Sequence, residues 1–370
     1  MLREPEPHEN GEQRRAEAPA LDRRARRQSG AQHRVTCSLR YTVRTMCSRV
    51  TYLGPGGSVV TGRTLDWFVP LNVAAWALPP GIEREGGALE NPISWTSRFG
   101  SLVVTAYDCL SFDGINTAGL TANLLYMGSS EYGDRDASRP GMSVGAWVQW
   151  ALDSFATVAE AVSALEKDPF QVVGIAVPGG APPTGHFSLS DISGDSAIFE
   201  YLNGAVVIHH GREFQVMTNE PTYDEQLALT DYWTSLDGAM LPGTERAADR
   251  FVRASWYLSK AQAVDDEAMS IATVLSIMRN VSVPFMRETD PEHPNISPTL
   301  LRVVSDQGRG RFFVELTDMP NVFWIDLGNL SLDAGASAKR LEIDGGPIRA
   351  GESSADFVEM DAPYEFSPEA

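Results

Sequence analysis

The chain predicts an α+β fold in which two antiparallel sheets are each covered by a helical layer. Three observations carry this. Short β-like runs separated by Gly, Pro and Asp turns follow residue 46. Two helical pairs interrupt them, one between residues 143 and 166 and one between 246 and 279. Strand-like runs resume after each pair, and two sheets bury both outer faces when each receives helices. No linker or internal repeat divides this region. The prediction is a single domain over 47–370, with its packed part ending at about Phe366.

Taken in order, Val50–Leu53, the Gly-Pro-Gly-Gly turn at 54–57 and Ser58–Thr61 read as a hairpin. Such a hairpin folds Cys47 at one end towards Arg63 and Asp66 at the other. Ser101–Tyr107 reads as a strand. Asp113-Gly114-Ile115-Asn116 reads as turn chemistry leading into the apolar strand Leu120–Leu125. Ser143–Leu152 carries Trp147, Trp150 and Ala151 at helical spacing, which suits a core-facing helix more than a substrate pocket. In Thr157–Glu166, Thr157 followed three residues on by Glu160 is a capping-box pattern. His186–Asp191 and Ser196–Tyr201 flank a Gly-Asp turn and predict a second hairpin. Strands are expected at Ala205–His209, Phe214–Thr218, Arg311–Leu316 and Val322–Leu327, and helices at 246–262 and 266–279.

Composition narrows the function. The 370 residues carry a formal charge of −19, which excludes the basic face that nucleic acid requires. A hydrophobic share of 43% supplies a sizeable core, and no apolar run is long enough to span a bilayer. Three cysteines (Cys37, Cys47, Cys109) are too few and too odd in number for a disulfide framework. The reading is a soluble, acidic, globular protein, cytoplasmic, with a periplasmic or secreted location as the alternative.

The first 46 residues differ from the rest. Ten arginines against six acids give them a net charge of +4, leaving about −23 on the remainder. They are rich in Arg, Glu, Pro, Ala and Gln, a composition that predicts disorder. They also show no apolar h-region followed by a small-residue cleavage site. They read as translated-upstream sequence with the working start at Met46, as a removable propeptide, or as a functional basic tail or organelle address.

The chemistry gathers around Met46-Cys47. If the mature chain begins at Cys47, a sulfur nucleophile and an α-amine share one residue. A free thiol titrates near 8.5 and an α-amine near 7.7–8.0, so the amine can act as the base for its own thiol. An internal Cys47 has no such amine. Arg63 and Asp66 supply charge beside it; taken alone they would be an ordinary hairpin ion pair. Asn219, at a strand end before Pro221, carries an amide donor of the kind that binds an oxyanion, although alone it reads as a turn residue. Arg253 reads as a structural partner rather than a site residue. His209-His210 suggests metal only superficially, because neighbouring strand residues point to opposite faces. No metal or cofactor is expected.

These residues resemble the choloylglycine hydrolase family, the conjugated bile acid hydrolases and penicillin V acylases. The resemblance rests on Met46-Cys47, on Arg63 and Asp66 at 16 and 19 residues beyond the cysteine, on Thr218-Asn219-Glu220-Pro221 and on Arg250-Phe251-Val252-Arg253. Asp113–Asn116, Gly119-Leu120, Ala122-Asn123, His209-His210, Gln215–Asn219 and Leu241–Ser255 place it nearest the Gram-negative penicillin V acylases, and it covers the chain from Cys47 to Phe366. It implies an αββα N-terminal nucleophile hydrolase, usually a homotetramer, that cleaves a linear amide of a small molecule without metal or cofactor. By motif position, Cys47 would be the nucleophile and its freed amine the base. Arg63 would stabilise the thiolate, Asp66 would hold the amine, and Asn219 and the Tyr126 main-chain N–H would bind the oxyanion. Arg250 would complete the charged network, and Trp67 would line the acyl pocket together with Tyr126. Tyr126 stands where that branch has tryptophan and the bile acid hydrolases asparagine.

The implied substrates are penicillin V or N-acyl homoserine lactones. Conjugated bile salts and N-acyl ethanolamine or other fatty-acid amides are the alternatives, as is a non-catalytic binding protein on the same fold.

Overall fold

The computed structural model describes residues 47–67, 69–175, 184–285, 297–319 and 321–367. The Arg-rich extension 1–46, with its expected disorder, lies outside them.

The chain opens on the expected hairpin, β1 (Ser48–Leu53) and β2 (Val59–Asp66). β3 (Ala74–Leu78) starts a second sheet, and β4 (Glu83–Glu85) and β5 (Ser94–Thr96) form a side ribbon. β6 (Ser101–Ala106), β7 (Leu110–Asn116) and β8 (Thr121–Tyr126) follow as a meander. β9 (Gly141–Ser143) leads through a 3-10 turn into α1 (Trp147–Ser154) and α2 (Val158–Leu165), and β10 (Gln171–Val173) pairs back on β9. β11 (Gly185–Ser190), β12 (Ser196–Leu202) and β13 (Ala205–His210) extend the second sheet. β14 (Val216–Thr218) returns to the first and precedes α3 (Tyr223–Thr234), α4 (Ala247–Lys260) and α5 (Glu267–Asn280). β15 (Thr299–Asp306), β16 (Arg311–Leu316) and β17 (Val322–Asp326) complete the first sheet, and β18 (Lys339–Glu342), β19 (Gly351–Glu352) and β20 (Val358–Glu359) close the edges.

The first sheet runs β14-β1-β2-β15-β16-β17-β19 and the second β13-β12-β11-β8-β7-β6-β3-β18-β20. Strand alternation explains how they stack. Gly62 on β2 faces α5, where a Cβ would stand 2.4 Å from Val274 Cγ1. Its neighbour Arg63 points the other way and reaches Asp113 Oδ2 on β7 at 3.2 Å. Gly114 on β7 in turn faces α1, where a Cβ would meet Leu152 Cδ1 at 2.7 Å. Helix, sheet, sheet and helix therefore follow one another, the expected αββα order.

Between and outside the sheets, large side chains fill the space. Trp147 is fully buried and stacks on Phe187 of β11 with ring centroids 4.8 Å apart, and Trp150 packs edge-on against Phe155 and Phe170. Both are core residues, as their spacing predicts, and each such side chain contributes about 1.5–3 kcal/mol or more by burial. Thr157 caps α2 by accepting from the Glu160 N–H at 3.2 Å, while Glu160 reaches back to the Ala156 N–H.

The structure corrects the reading of Asp113–Asn116 as a turn. Asp113 and Gly114 lie inside β7, not in a turn. The turn starts at Asn116, whose Oδ1 accepts from the N–H groups of Ala118 and Leu120, and reverses at Gly119 with φ +82°. Gly114 is needed for packing, because a Cβ there would also lie 2.6 Å from the Leu102 carbonyl oxygen. Cys109 is half-buried at the β6–β7 turn. β3, β15 and α3 lie beyond what the sequence pattern predicts.

Candidate active site

Cys47 heads β1, and the hairpin register pairs Ser48 with Thr64. One step further, the antiparallel ladder sets Cys47 opposite Leu65, next to Asp66. Local sequence alone therefore brings thiol, arginine and aspartate to one end of the hairpin. Arg63 Nη2 lies 3.7 Å from the buried Cys47 sulfur. Burial pushes the Cys47 thiol above its ordinary value; the Arg63 charge is the largest influence in the opposite direction, with smaller ones from an Asp66 backbone hydrogen bond and Arg250.

Arg63 is held from several directions. Nη2 also donates to the Leu124 carbonyl oxygen at 3.1 Å, Nη1 faces Asp113 Oδ2 at 3.2 Å, and the guanidinium sits 4.9 Å over the Phe112 ring. Asp66 is bound by Arg250 Nη1 at 2.6 Å and by the Thr299 hydroxyl at 2.7 Å, and Arg250 Nη1 also donates to the Val281 carbonyl oxygen. Burial pushes the Asp66 carboxyl up, and Arg250 and then Thr299 pull it back.

Asn219 joins the first sheet to the second. It follows β14, whose Thr218 is fastened by Gln226 Oε1 and the Ala247 carbonyl oxygen. Its Oδ1 accepts a hydrogen bond from the Cys47 main-chain nitrogen, and its Nδ2 donates to the Tyr126 carbonyl oxygen at 2.5 Å. Met127 N donates to Thr184 O on the β11 side, so the alternation of the ladder turns the polar groups of Tyr126 to the other edge. The Tyr126 N–H thus faces the same side as the Asn219 amide.

A cavity of about 70 Å³ opens beside the sulfur. Cys47 and Arg63 form its polar end, and Leu65, Trp67, Tyr107, Phe112, Leu124, Tyr126 and Val144 are among its walls. Trp67 and Tyr126 meet edge to face at 6.3 Å.

All seven residues expected at the site, Cys47, Arg63, Asp66, Trp67, Tyr126, Asn219 and Arg250, thus fall in one connected region. By resemblance Asp66 holds the freed amine; in the structure the Cys47 main-chain N–H donates to Asn219 Oδ1, and the Asp66 carboxylate is held by Arg250 and Thr299. Asp113, Thr299 and the Leu124 carbonyl were missed. Asp113 was hidden in an apparent turn motif, and Thr299 has no local signal at all. Arg253 donates to the carbonyl oxygens of Pro242 and Thr244, fastening the loop before α4. His209 lies 3.7 Å from Glu200 and His210 lies 2.8 Å from Asp195, on opposite faces of β13 as alternation requires.

Known proteins share this arrangement of sequence and fold. The model of the linear amide C–N hydrolases, choloylglycine hydrolase family, matches residues 47–339. A penicillin V acylase from Pectobacterium atrosepticum is 40% identical over 361 residues, covering 90% of this chain and 95% of that one. The solved penicillin V acylase from Agrobacterium tumefaciens has a TM-score of 0.81 at 45% identity, over 87% of this chain and 100% of that chain. A conjugated bile acid hydrolase from Clostridium perfringens reaches 0.69 at 20% identity, over 83% and 98%, a likeness of fold alone. A family match that begins at Cys47 and spans every site residue, with relatives at this level of identity, means that the chain is a linear amide hydrolase and belongs to the choloylglycine hydrolase family.

Proposed function

We propose that this amide hydrolase works as an N-terminal cysteine acylase on penicillin V or N-acyl homoserine lactones. The observation that carries the reading is the meeting of the Cys47 sulfur, Arg63 and Asn219 at the mouth of an aromatic cavity. Once the chain begins at Cys47, its α-amine takes the thiol proton as the sulfur attacks the substrate carbonyl. The C–S bond forms and the carbonyl electron pair becomes an oxyanion. An amide nitrogen offers two N–H donors. One of those on Asn219 holds the Tyr126 carbonyl, and the second, with the Tyr126 N–H, receives the oxyanion.

Collapse of this intermediate breaks the C–N bond, and the α-ammonium gives its proton to the departing amine. Water then hydrolyses the thioester by the same route, with the amine as base. Arg63 steadies the thiolate. Asp66, held by Arg250, supplies negative charge near the ammonium form of the amine. Trp67, Tyr107, Phe112 and Tyr126 give the acyl group flat apolar walls, which suit an aryl ring or a short alkyl chain. The two acylase relatives support the penicillin V assignment. Assembly as a homotetramer is part of the proposal, tested by sedimentation.

The test starts with the intact mass of protein expressed from Met1, which should show a species beginning at Cys47. That species should hydrolyse penicillin V or an N-acyl homoserine lactone faster than glycine-conjugated bile salts or an N-acyl ethanolamine. Cys47→Ala should abolish turnover while leaving the fold intact, and Cys47→Ser should be slow because an alcohol ionises less readily. Turnover by the alanine variant would remove the nucleophile assignment. A bile salt preference would move the substrate to the other branch.

A further inference from the structure

Asp113 stands directly behind the contact between Arg63 and Cys47. It lies in the middle of β7, faces the space between the sheets and is fully buried. Its Oδ1 accepts from Asn123 Nδ2 on β8 at 2.5 Å, and its Oδ2 lies 3.2 Å from Arg63 Nη1. The guanidinium is planar and rigid, so fixing Nη1 also fixes the direction of Nη2. Nη2 is the nitrogen that lies 3.1 Å from the Leu124 carbonyl and 3.7 Å from the Cys47 sulfur.

A buried carboxylate is costly, and a well-packed apolar pair in place of a buried ion pair is often neutral or stabilising. Folding alone gives little reason to keep Asp113 here. Burial pushes its carboxyl up to about 6, with Arg63 and then Asn123 pulling the other way. The group is thus poorly solvated and depends on these two partners.

We propose that Asp113 is a positioning residue for amide hydrolysis: from its Asn123-anchored place on β7 it sets the plane of Arg63 so that Nη2 stays directed at the Cys47 sulfur. This rests on Cys47 being the nucleophile. Without the carboxylate, Nη1 loses its partner, the guanidinium is free to turn towards Leu124, and the thiol loses its neighbouring charge. Asn123 acts one step further back, by holding the carboxylate.

The test uses the full chain as purified, carrying D113A, D113N or N123A. Two readouts are taken. Turnover of penicillin V gives kcat and KM. The pH dependence of iodoacetamide labelling at Cys47, followed by peptide mass so that Cys109 is counted apart, gives the thiol midpoint without any substrate. A wrong substrate assignment would therefore silence the first readout and leave the second intact.

D113A should lower kcat about 10–100-fold, the scale of a misdirected catalytic group. KM should stay within about threefold, because ground-state binding is unchanged. The labelling midpoint should rise by about one pH unit as the arginine charge withdraws. D113N keeps an oxygen for Nη1 and should regain most of kcat, and N123A should move both readouts the same way by less. A D113A protein with the normal midpoint overturns the proposal, whether its activity is retained or falls only with the folded fraction measured by melting. If D113A does not fold, N123A decides: a raised midpoint supports the proposal and an unchanged one overturns it.

Discussion

Asp66 and Arg250 form an ion pair at 2.6 Å with both side chains fully buried, joining the end of β2 to α4 directly beside Cys47. Removing one partner leaves an uncompensated buried charge, which typically costs about 3–5 kcal/mol. Arg250→Ala should therefore lower stability by that amount in urea unfolding and stop turnover. Replacing the pair together, Asp66→Leu with Arg250→Met, should recover most of the stability and none of the activity. Recovery of activity in the double variant would reduce the pair to a structural role.

Asn219 touches both sides of the site, through the Cys47 nitrogen and the Tyr126 carbonyl. If its second N–H binds the oxyanion, Asn219→Ala loses an interaction made only in the transition state. The expected loss is about 10²–10³ in kcat, with little change in KM. Steady-state kinetics on penicillin V measure this split, and a change confined to KM would place Asn219 in substrate binding instead.

What the sequence made legible follows the range of the interactions. Cys47, Arg63 and Asp66 lie on one hairpin, so a local turn signal was enough to bring them together. Asn219 and Arg250 are far along the chain: the residues alone mark Asn219 as an amide donor at a strand end and put Arg250 on a helix, and only the family resemblance joins them to Cys47. Asp113 was misread because Asp-Gly-x-Asn is strong local turn chemistry, whereas its partner Arg63 is on the opposite sheet. α3 was not predicted because it buries only Tyr223 and Gln226, leaving no apolar stripe to detect. β3 is an Ala-Ala-Trp-Ala-Leu run with weak strand propensity.

Gly62 precedes Arg63 on β2 and sets how closely α5 approaches the sheet. A Cβ there would lie 2.4 Å from Val274 Cγ1 and 2.9 Å from Met278 Cγ, both on α5. Gly62→Ala should therefore cost about 1–3 kcal/mol, the usual scale of overpacking. Adding Val274→Ala opens space at the nearest contact and should return part of that loss. Thermal melting of the single and double variants measures both effects, and equal losses in the two would remove the clash as the cause.

Glu200 on β12 is buried, and both of its oxygens accept from the Tyr223 N–H at 3.1 Å, at the start of α3. His186 and His209 approach the same carboxylate at 3.5 and 3.7 Å. Burial alone would push this carboxyl up. The two imidazoles that approach the carboxylate and the Tyr223 N–H outweigh it and hold the carboxyl down at about 2. A carboxylate whose folded value is depressed contributes stability above its ordinary range near 4.5, and that contribution is lost as pH falls towards 2. The full contribution is on the order of 3 kcal/mol. Glu200→Gln should therefore be less stable than the parent by about that amount at pH 7, with the gap narrowing by pH 3. Titrating groups that do not touch Glu200 are common to both proteins and cancel in the difference. Urea unfolding at the two pH values reads the gap directly, and a gap of the same size at both would mean that Glu200 acts through packing and not through its charge.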